Sequence, residues 1–414
     1  MQQIRAITKA AETAADTLGV NLETLCYLDS FLQSFVDRGE HSFVSFYVLR
    51  RGTLIFNGNY GVQTPGGEPL REDAIYPVAS VTKPFTATCC AILQERGLLD
   101  FWDKLQKYFP GFTGEGKEKV LLWHLLCHTT GMTDTTTYKF IAAYIADELG
   151  IKIPEENGNN KDEIRALYMQ ARDKMGLPKM ESSVKAVKEL FFEIGQKAPL
   201  DSEPGTAFTY YGVSYDLIAR IVERVSGKSL EEFARENIFE PLGMRDTHWF
   251  LPVEKRDRMV RRDPSFKGGQ WLNSEDTMVS TSASGGLKSS MADLARFGQM
   301  FLQGGTLGGK RIISPATVRL MTKDQNEKLP DTYWQDRRLR SNWGLGWDIK
   351  NGKKDDLGML RSERSYNHGG YGGARLLIDP DAELVVAIYM VEQREDSFYD
   401  DMGTAVNVLY AALD

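Results

Sequence analysis

Apolar and polar positions along the chain predict strands near both ends and helices between them. Phe43 to Leu49 and Thr53 to Gly58 alternate apolar and polar residues around Arg51-Gly52, the pattern of a β-hairpin. A second hairpin is expected from Ala374 to Ile378 and Glu383 to Met390, joined by the turn Asp379-Pro380-Asp381-Ala382. Helical spacing appears over residues 22–37 and from Pro84 to Arg96. It is strongest from Tyr215 to Val225, where Leu217, Ile218, Ile221, Val222 and Val225 share a face and Gly227 stops the run. Leu230 to Phe239, Ser289 to Leu302 and about Asp401 to Leu413 read as further helices, and Val120 to His128 as a buried one ending at Gly131. These elements predict an α/β domain built from both termini, residues 1–105 and 285–414, interrupted by a mostly helical inserted domain, residues 106–284. Inside the insertion, residues 133–200 are charged and broken by Asn157-Gly158-Asn159-Asn160, which reads as a lid-like helical segment.

Composition narrows the function classes. The chain has 414 residues, 42% hydrophobic and 26% charged, enough apolar material for a large core. The net charge of -7 comes from signs mixed along the chain, with no basic stripe, so nucleic acid is not an expected partner. No apolar run approaches the roughly 18 residues of a membrane helix. Met1 to Gly19 carries Arg5, Lys9, Glu12 and Asp16 and lacks the apolar core of a secretory signal, so a cytoplasmic location is expected. The four cysteines, Cys26, Cys89, Cys90 and Cys127, form no C-x-x-C, and free, largely buried thiols are expected. Nothing in the sequence sets the oligomeric state.

Candidate chemistry begins at Ser80-Val81-Thr82-Lys83. The strand- and turn-like run Ala74 to Ala79 gives way there to a helical pattern. Residues three apart on a helix share a face, so Lys83 reaches the Ser80 hydroxyl, and the helix N-terminus favours an alkoxide. A nucleophile and its activator thus come from one rigid element. The spacing alone is weak, since a chain of this length holds about one S-x-x-K by chance. A second copy, Ser182-Ser183-Val184-Lys185, lies in a charged amphipathic stretch with no strand before it and reads as a solvated face.

Two further segments fall into order with Ser80: Phe208-Thr209-Tyr210-Tyr211-Gly212 and His368-Gly369-Gly370-Tyr371-Gly372-Gly373-Ala374. Together the three resemble the serine β-lactamase and penicillin-binding-protein superfamily, in the class C-like branch that includes family VIII type esterases and acyltransferases. Leu125 to Met132 is similar to that family's L-L-x-H-T-S-G-L. Ser284 to Phe297 is similar to its G-G-L-x-S-x-x-x-D-L-A-R-F, and Trp343 to Trp347 to its Y-G-L-G-W. The resemblance runs from about residue 30 to 412 and implies an antiparallel sheet flanked by helices. It implies Ser80 as the acyl-accepting nucleophile, Lys83 as the group that holds or helps remove its proton, and Tyr210 as the general base. It also implies that His368 orients Tyr210 and substrate, and that the backbone N–H groups of Ser80 and Tyr371, beside Gly370, form the oxyanion hole.

The chemistry of these side chains leaves two schemes open. A phenol with pKa about 10 is a poor base at neutral pH. Cationic Lys83 and His368 would favour the phenolate, or desolvation would make Lys83 neutral and itself the base. The family's second motif is usually Y-x-N, but here it reads Tyr210-Tyr211-Gly212, without the asparagine amide that would contact an amide substrate. The expected activity is therefore a serine hydrolase acting on small-molecule carboxylic esters through acyl-Ser80, with release to water or to an alcohol. No metal or organic cofactor is implied. A β-lactamase or D-amino-acid peptidase is the alternative. A non-catalytic binding protein on the same fold is a third, against which Ser80, Lys83 and Tyr210 together argue.

Other residues take bland readings. His124 and His128 stand four apart, but no Glu lies between them and no third ligand is nearby, so both are expected to be structural, with His128 holding the loop Thr129 to Gly131. Ser214 is expected to cap a helix. Glycines 369, 370, 372 and 373 are expected to let backbone approach substrate. Trp334, Trp343 and Trp347 fit either pocket lining or core.

Overall fold

The computed structural model describes residues 6–152, 154, 161–176, 189, 192–264, 272–330, 342–353, 357–392 and 398–414. The chain divides into two compact units. The first is Met1–Leu98, Ile218–Glu327 and Trp334–Asp414; the second is Leu99–Leu217 and Lys328–Tyr333. Residues 218–284, expected within the insertion, group with the terminal segments.

The first unit is built on a six-stranded antiparallel sheet. Its strands are β1 (His41–Arg50), β2 (Thr53–Gly61), β7 (Asp348–Ile349), β8 (Tyr366–Gly370), β9 (Ala374–Asp379) and β10 (Leu384–Glu392), in the order β2-β1-β10-β9-β8-β7. Short pairs stand apart from it: β3 (Tyr76–Pro77) with β4 (Lys288–Ser289), and β5 (Thr306–Leu307) with β6 (Lys310–Arg311). The two expected hairpins are present, and β1 joins them by pairing Phe46 with Ile388 of β10 and Gly58 of β2. Alternation then sorts the side chains. Val44, Phe46 and Val48 of β1 and Val386, Ile388 and Met390 of β10 enter one core, with Leu25, Leu28 and Leu32 of helix α2 (Leu22–Asp37) and Val406 and Leu409 of the C-terminal helix Phe398–Ala411. The opposite face receives the helix Met291–Leu302, which packs on β1, β9 and β10. Burial on both faces explains why β10 reads as an almost unbroken apolar run.

A helix not expected from the sequence, α1 (Lys9–Leu18), precedes α2. Thr8 caps it, accepting from Ala11 N. The Ser80 segment becomes a 3-10 turn, Ala79–Val81, leading into helix α3 (Thr82–Glu95).

The second unit holds helices α4 (Leu122–Leu126), α5 (Asp134–Leu149) and α6 (Lys161–Lys174). Its described residues form no strand beyond the isolated bridge between Lys104 and Leu121. Ile141 and Ile145 of α5, Ala171 of α6 and Ile194 make a separate small core. The Ser182–Lys185 and Asn157–Asn160 segments lie outside the described residues. The helix Val213–Ser226 begins in this unit. Among the described residues, no helix is long and apolar enough to cross a membrane.

Candidate active site

Ser80 sits at the middle of its 3-10 turn, immediately after a strained residue. Ala79 has φ +44°, which a non-glycine residue adopts only when its surroundings impose it. Those surroundings are explicit. Val78 N donates to Leu287 O at 3.0 Å, Tyr389 Oη donates to Pro77 O at 3.2 Å, and Thr82 Oγ1 donates to Ala79 O at 2.6 Å while accepting from Leu287 N at 3.0 Å. The turn is fixed from Leu287 just before β4, from β10 and from the start of α3 together. The strain sits at a strand–turn–helix exit, with Ser80 next in the chain.

Lys83 follows on the first turn of α3. It is 2% exposed, and its Nζ donates to Ser80 Oγ at 3.0 Å and to Ser284 O at 2.8 Å. The second bond was not legible in the sequence, because its acceptor is a backbone carbonyl 201 residues away. The only signal was the Ser284-Gly285-Gly286 phrase. Thr86 Oγ1 donates to the neighbouring Ala283 O at 2.8 Å, so one face of α3 fixes the segment that fixes Lys83.

The β8–β9 turn carries the other first-unit residues. His368 is buried, and its Nδ1 lies 2.8 Å from Gly369 O. A carbonyl can only accept, so Nδ1 carries the proton and Nε2 presents a lone pair. Burial holds His368 well below its ordinary pKa, and the positive charges of Lys83, Arg375 and Lys353 reinforce this. His368, expected as a possible second cation, is thus a neutral imidazole. Trp343 meets the His368 ring edge-on at 5.4 Å, and Trp347 is buried among Phe297, Phe301 and Tyr366. Trp334 lies outside the described residues.

Gly370 and Gly373 are required by contacts within the protein. A Cβ on Gly370 would stand 2.1 Å from Val78 O, and one on Gly373, at φ +104°, would stand 1.9 Å from Met390 O. The absence of side chains lets the turn holding Tyr371 close against the turn holding Ser80. Tyr371 is 48% exposed. Arg262 donates from Nη2 to Gly372 O at 2.7 Å and supports the same turn, a contact with no sequence signal. Gly370→Ala is expected to cost about 1–3 kcal/mol in denaturant unfolding, the range for overpacking against fixed backbone. Unchanged stability would show that the turn yields.

Tyr210 belongs to the second unit. It is half-buried between fully buried neighbours, Phe208 and Tyr211. The Tyr211 hydroxyl lies 3.1 Å from Thr137 Oγ1, and burial pushes its pKa upward, so this tyrosine is packed as core. Gly212 N donates to Asp134 Oδ2 at 3.2 Å. Ser214 is the second residue of the helix Val213–Ser226 rather than its cap, and its Oγ is buried without a hydrogen-bond partner among the described residues. His124 Nδ1 accepts from Leu121 N at 3.2 Å, and burial lowers its pKa to about 4. Among the described residues, no group of three or more His, Cys, Asp and Glu could hold a metal.

The family model named Beta-lactamase matches residues 28–410. The chain belongs to the Beta-lactamase family. It is a member of a serine hydrolase family with the β-lactamase and transpeptidase-like fold, an antiparallel sheet flanked by helices. A curated relative from Escherichia coli (strain K12), named "Putative D-alanyl-D-alanine carboxypeptidase", is 25% identical over 91% of this chain and 84% of its own. Two solved structures share the fold. A family VIII carboxylesterase superposes with TM-score 0.69 at 20% identity, covering 95% of this chain and 99% of that one. A penicillin-binding-protein homolog from Caulobacter crescentus gives the same TM-score, identity and coverage.

Proposed function

We propose that this protein is a carboxylic ester hydrolase that works through an acyl-Ser80 intermediate. One observation carries the assignment of the nucleophile: Lys83 Nζ, itself buried, donates to Ser80 Oγ and is held in place by Ser284 O. An ammonium beside the hydroxyl favours the alkoxide by direct charge interaction.

In this reading Ser80 Oγ attacks the ester carbonyl. Its proton passes to the Tyr210 oxygen or to Lys83, a pair that titrates as one unit. The backbone N–H groups of Ser80 and Tyr371 donate to the negatively charged tetrahedral oxygen. Collapse breaks the bond to the leaving alcohol, which takes up the proton. Water, or an acceptor alcohol, then repeats the sequence in reverse and frees Ser80. His368, neutral and with its lone pair on Nε2, serves as an acceptor that orients a substrate hydroxyl.

Ester preference rests on Gly212. A site that hydrogen-bonds a substrate amide discriminates by what is left unpaired when the partner is missing. Without a side chain at 212, that contact, worth roughly 1–3 kcal/mol, is not made. The expected result is a kcat/KM for short-chain aryl esters well above that for a chromogenic cephalosporin or D-alanyl peptides. Position 212 accepts a side chain: its φ is outside the left-handed region, and a Cβ would meet Asp134 Oδ2 at 3.5 Å, an ordinary contact. Gly212→Asn should therefore fold and shift the ratio about tenfold toward the amides, the effect of one hydrogen bond. The name of the curated relative favours a second reading, a D-amino-acid peptidase. Efficient cephalosporin or peptide hydrolysis by the wild type, with negligible ester turnover, would decide for the amide-cleaving readings.

A further inference from the structure

The structure gives His128 more to hold than its own loop. We infer that His128 is a positioning residue for Tyr210, with Asp134 fixing the peptide that follows; the inference rests on the reading of Tyr210 as a proton carrier.

His128 is fully buried and has φ +60°, a conformation that persists in a bulky residue only where the surroundings over-determine it. Its carbonyl accepts from Thr209 N at 2.9 Å. Its Nδ1 accepts from Tyr211 N at 3.1 Å, so the ring proton lies on Nε2. Its ring lies against Tyr210, with centroids 4.5 Å apart and planes tilted by 32°. One residue thus grips the backbone on both sides of Tyr210 and packs against the side chain between. Asp134, at the start of α5, takes the next N–H, that of Gly212.

The rest of the Leu125–Met132 phrase continues the same contact line. Gly205 N donates to Thr129 O at 2.8 Å, and Asp201 N and Ser202 N both donate to Gly131 O, at 2.7 and 3.3 Å. Loop 128–131 and segment 201–211 therefore form one clamped pair. At its end, Tyr210 projects half-buried while Phe208 and Tyr211 are locked inside.

The consequence is geometric. The acceptor at Nδ1 sets the plane of the Tyr210–Tyr211 peptide, and the ring limits how the phenol swings. A phenol oxygen stands roughly 6.5 Å from its Cα, so a rotation of about 10° moves it by about 1 Å, enough to cost about 10²-fold in rate.

Two replacements separate the two contacts. His128→Phe keeps a ring and loses the acceptor; His128→Asn keeps an acceptor at Oδ1 and loses the ring. Aryl ester kinetics are measured per active site titrated with a fluorophosphonate, beside thermal unfolding. His128→Phe should lower kcat about 10²-fold with KM within about threefold, and His128→Asn should recover about tenfold of that loss. In a Tyr210→Phe background, His128→Phe should change kcat by less than about threefold, because a misplaced base cannot be lost twice. An unchanged kcat per titrated site in His128→Phe, or a full second loss in the Tyr210→Phe background, would make His128 merely structural. Should His128→Phe not fold, Asp134→Ala removes the Gly212 contact and leaves the His128 contacts in place. It should lower kcat about tenfold at similar KM, and an unchanged kcat would overturn the inference. If Tyr210→Phe alone turns over like the wild type, the role of Tyr210 falls and the positioning role falls with it. If Tyr210→Phe is crippled while His128→Phe is not, only the positioning role falls.

Discussion

Replacing Ser80 by alanine is expected to abolish ester turnover and covalent labelling by a fluorophosphonate, while thermal unfolding stays near that of the wild type. The loss should be on the order of 10⁴–10⁶-fold in kcat, the range for removing a nucleophile from a unit that acts together. Fold should survive for reasons visible around the residue. The turn is held by Val78, Thr82 and Leu287, and none of those bonds uses the Ser80 hydroxyl. The hydroxyl itself accepts from Lys83, which keeps Ser284 O as a second acceptor when Oγ is removed. Intact-mass analysis after incubation with an activated ester gives the direct reading: one acyl adduct on the wild type and none on Ser80→Ala. Labelling that survives in the variant would place the nucleophile elsewhere. Ser214 is a poor second candidate, since its Oγ is buried inside a helix.

Much of the scaffold was legible because its signals are local. The hairpin alternation from Phe43 to Gly58 and the spacing in Ser289 to Leu302 report faces that pack on the sheet, and both appear where expected. What was missed depends on partners distant in sequence. Helix α1 is rich in Ala and Thr, and only Ala11 and Leu18 are buried within it, too few to draw an apolar stripe. Tyr366 to Gly370 is polar and glycine-rich and draws no strand alternation. It becomes β8 because β9 on one side and β7 on the other supply its ladder. Ser80 reads as a residue of the helix, whereas Ala79 at φ +44° puts it on a 3-10 turn before α3.

The site shows the same division. S-x-x-K spacing predicts the Lys83–Ser80 contact, since both groups come from adjoining turns. It says nothing of Ser284 O, because any residue type offers a carbonyl. Sequence also left His368 as a possible cation. Its neutrality comes from burial beside Lys83, Arg375 and Lys353, charges assembled by the fold. His128 is the clearest case. Four-residue spacing from His124 suggested a metal pair or two structural histidines, and the contact that matters runs to Tyr210 and Tyr211, more than eighty residues on.

Lys83→Ala and Tyr210→Phe are each expected to lower kcat/KM by about 10³-fold, or about 4 kcal/mol of transition-state stabilisation. Their combination should be little worse than either alone. Independent contributions would add to about 8 kcal/mol, a loss of about 10⁶-fold; a shared proton-transfer unit should stop near 4–5 kcal/mol. The expectation follows from the proposed proton-transfer pair. His368 is neutral, so the phenolate scheme relies on Lys83 for a cation, and removing Lys83 returns the phenol toward its ordinary pKa of about 10. Tyr210→Phe in turn removes the group whose ionisation Lys83 would stabilise. In the other scheme a neutral Lys83 is the base, and Tyr210 carries its proton to the leaving alcohol. That scheme breaks at either residue as well, so both predict non-additivity. They differ in the pH profile of Lys83→Ala: a surviving Tyr210 base should move the rising limb toward pH 10, while a lost Lys83 base should leave low activity with no such shift. Fully additive losses would contradict the shared unit in either form, and would mean that Lys83 serves Ser80 alone, through the bond seen between Nζ and Oγ.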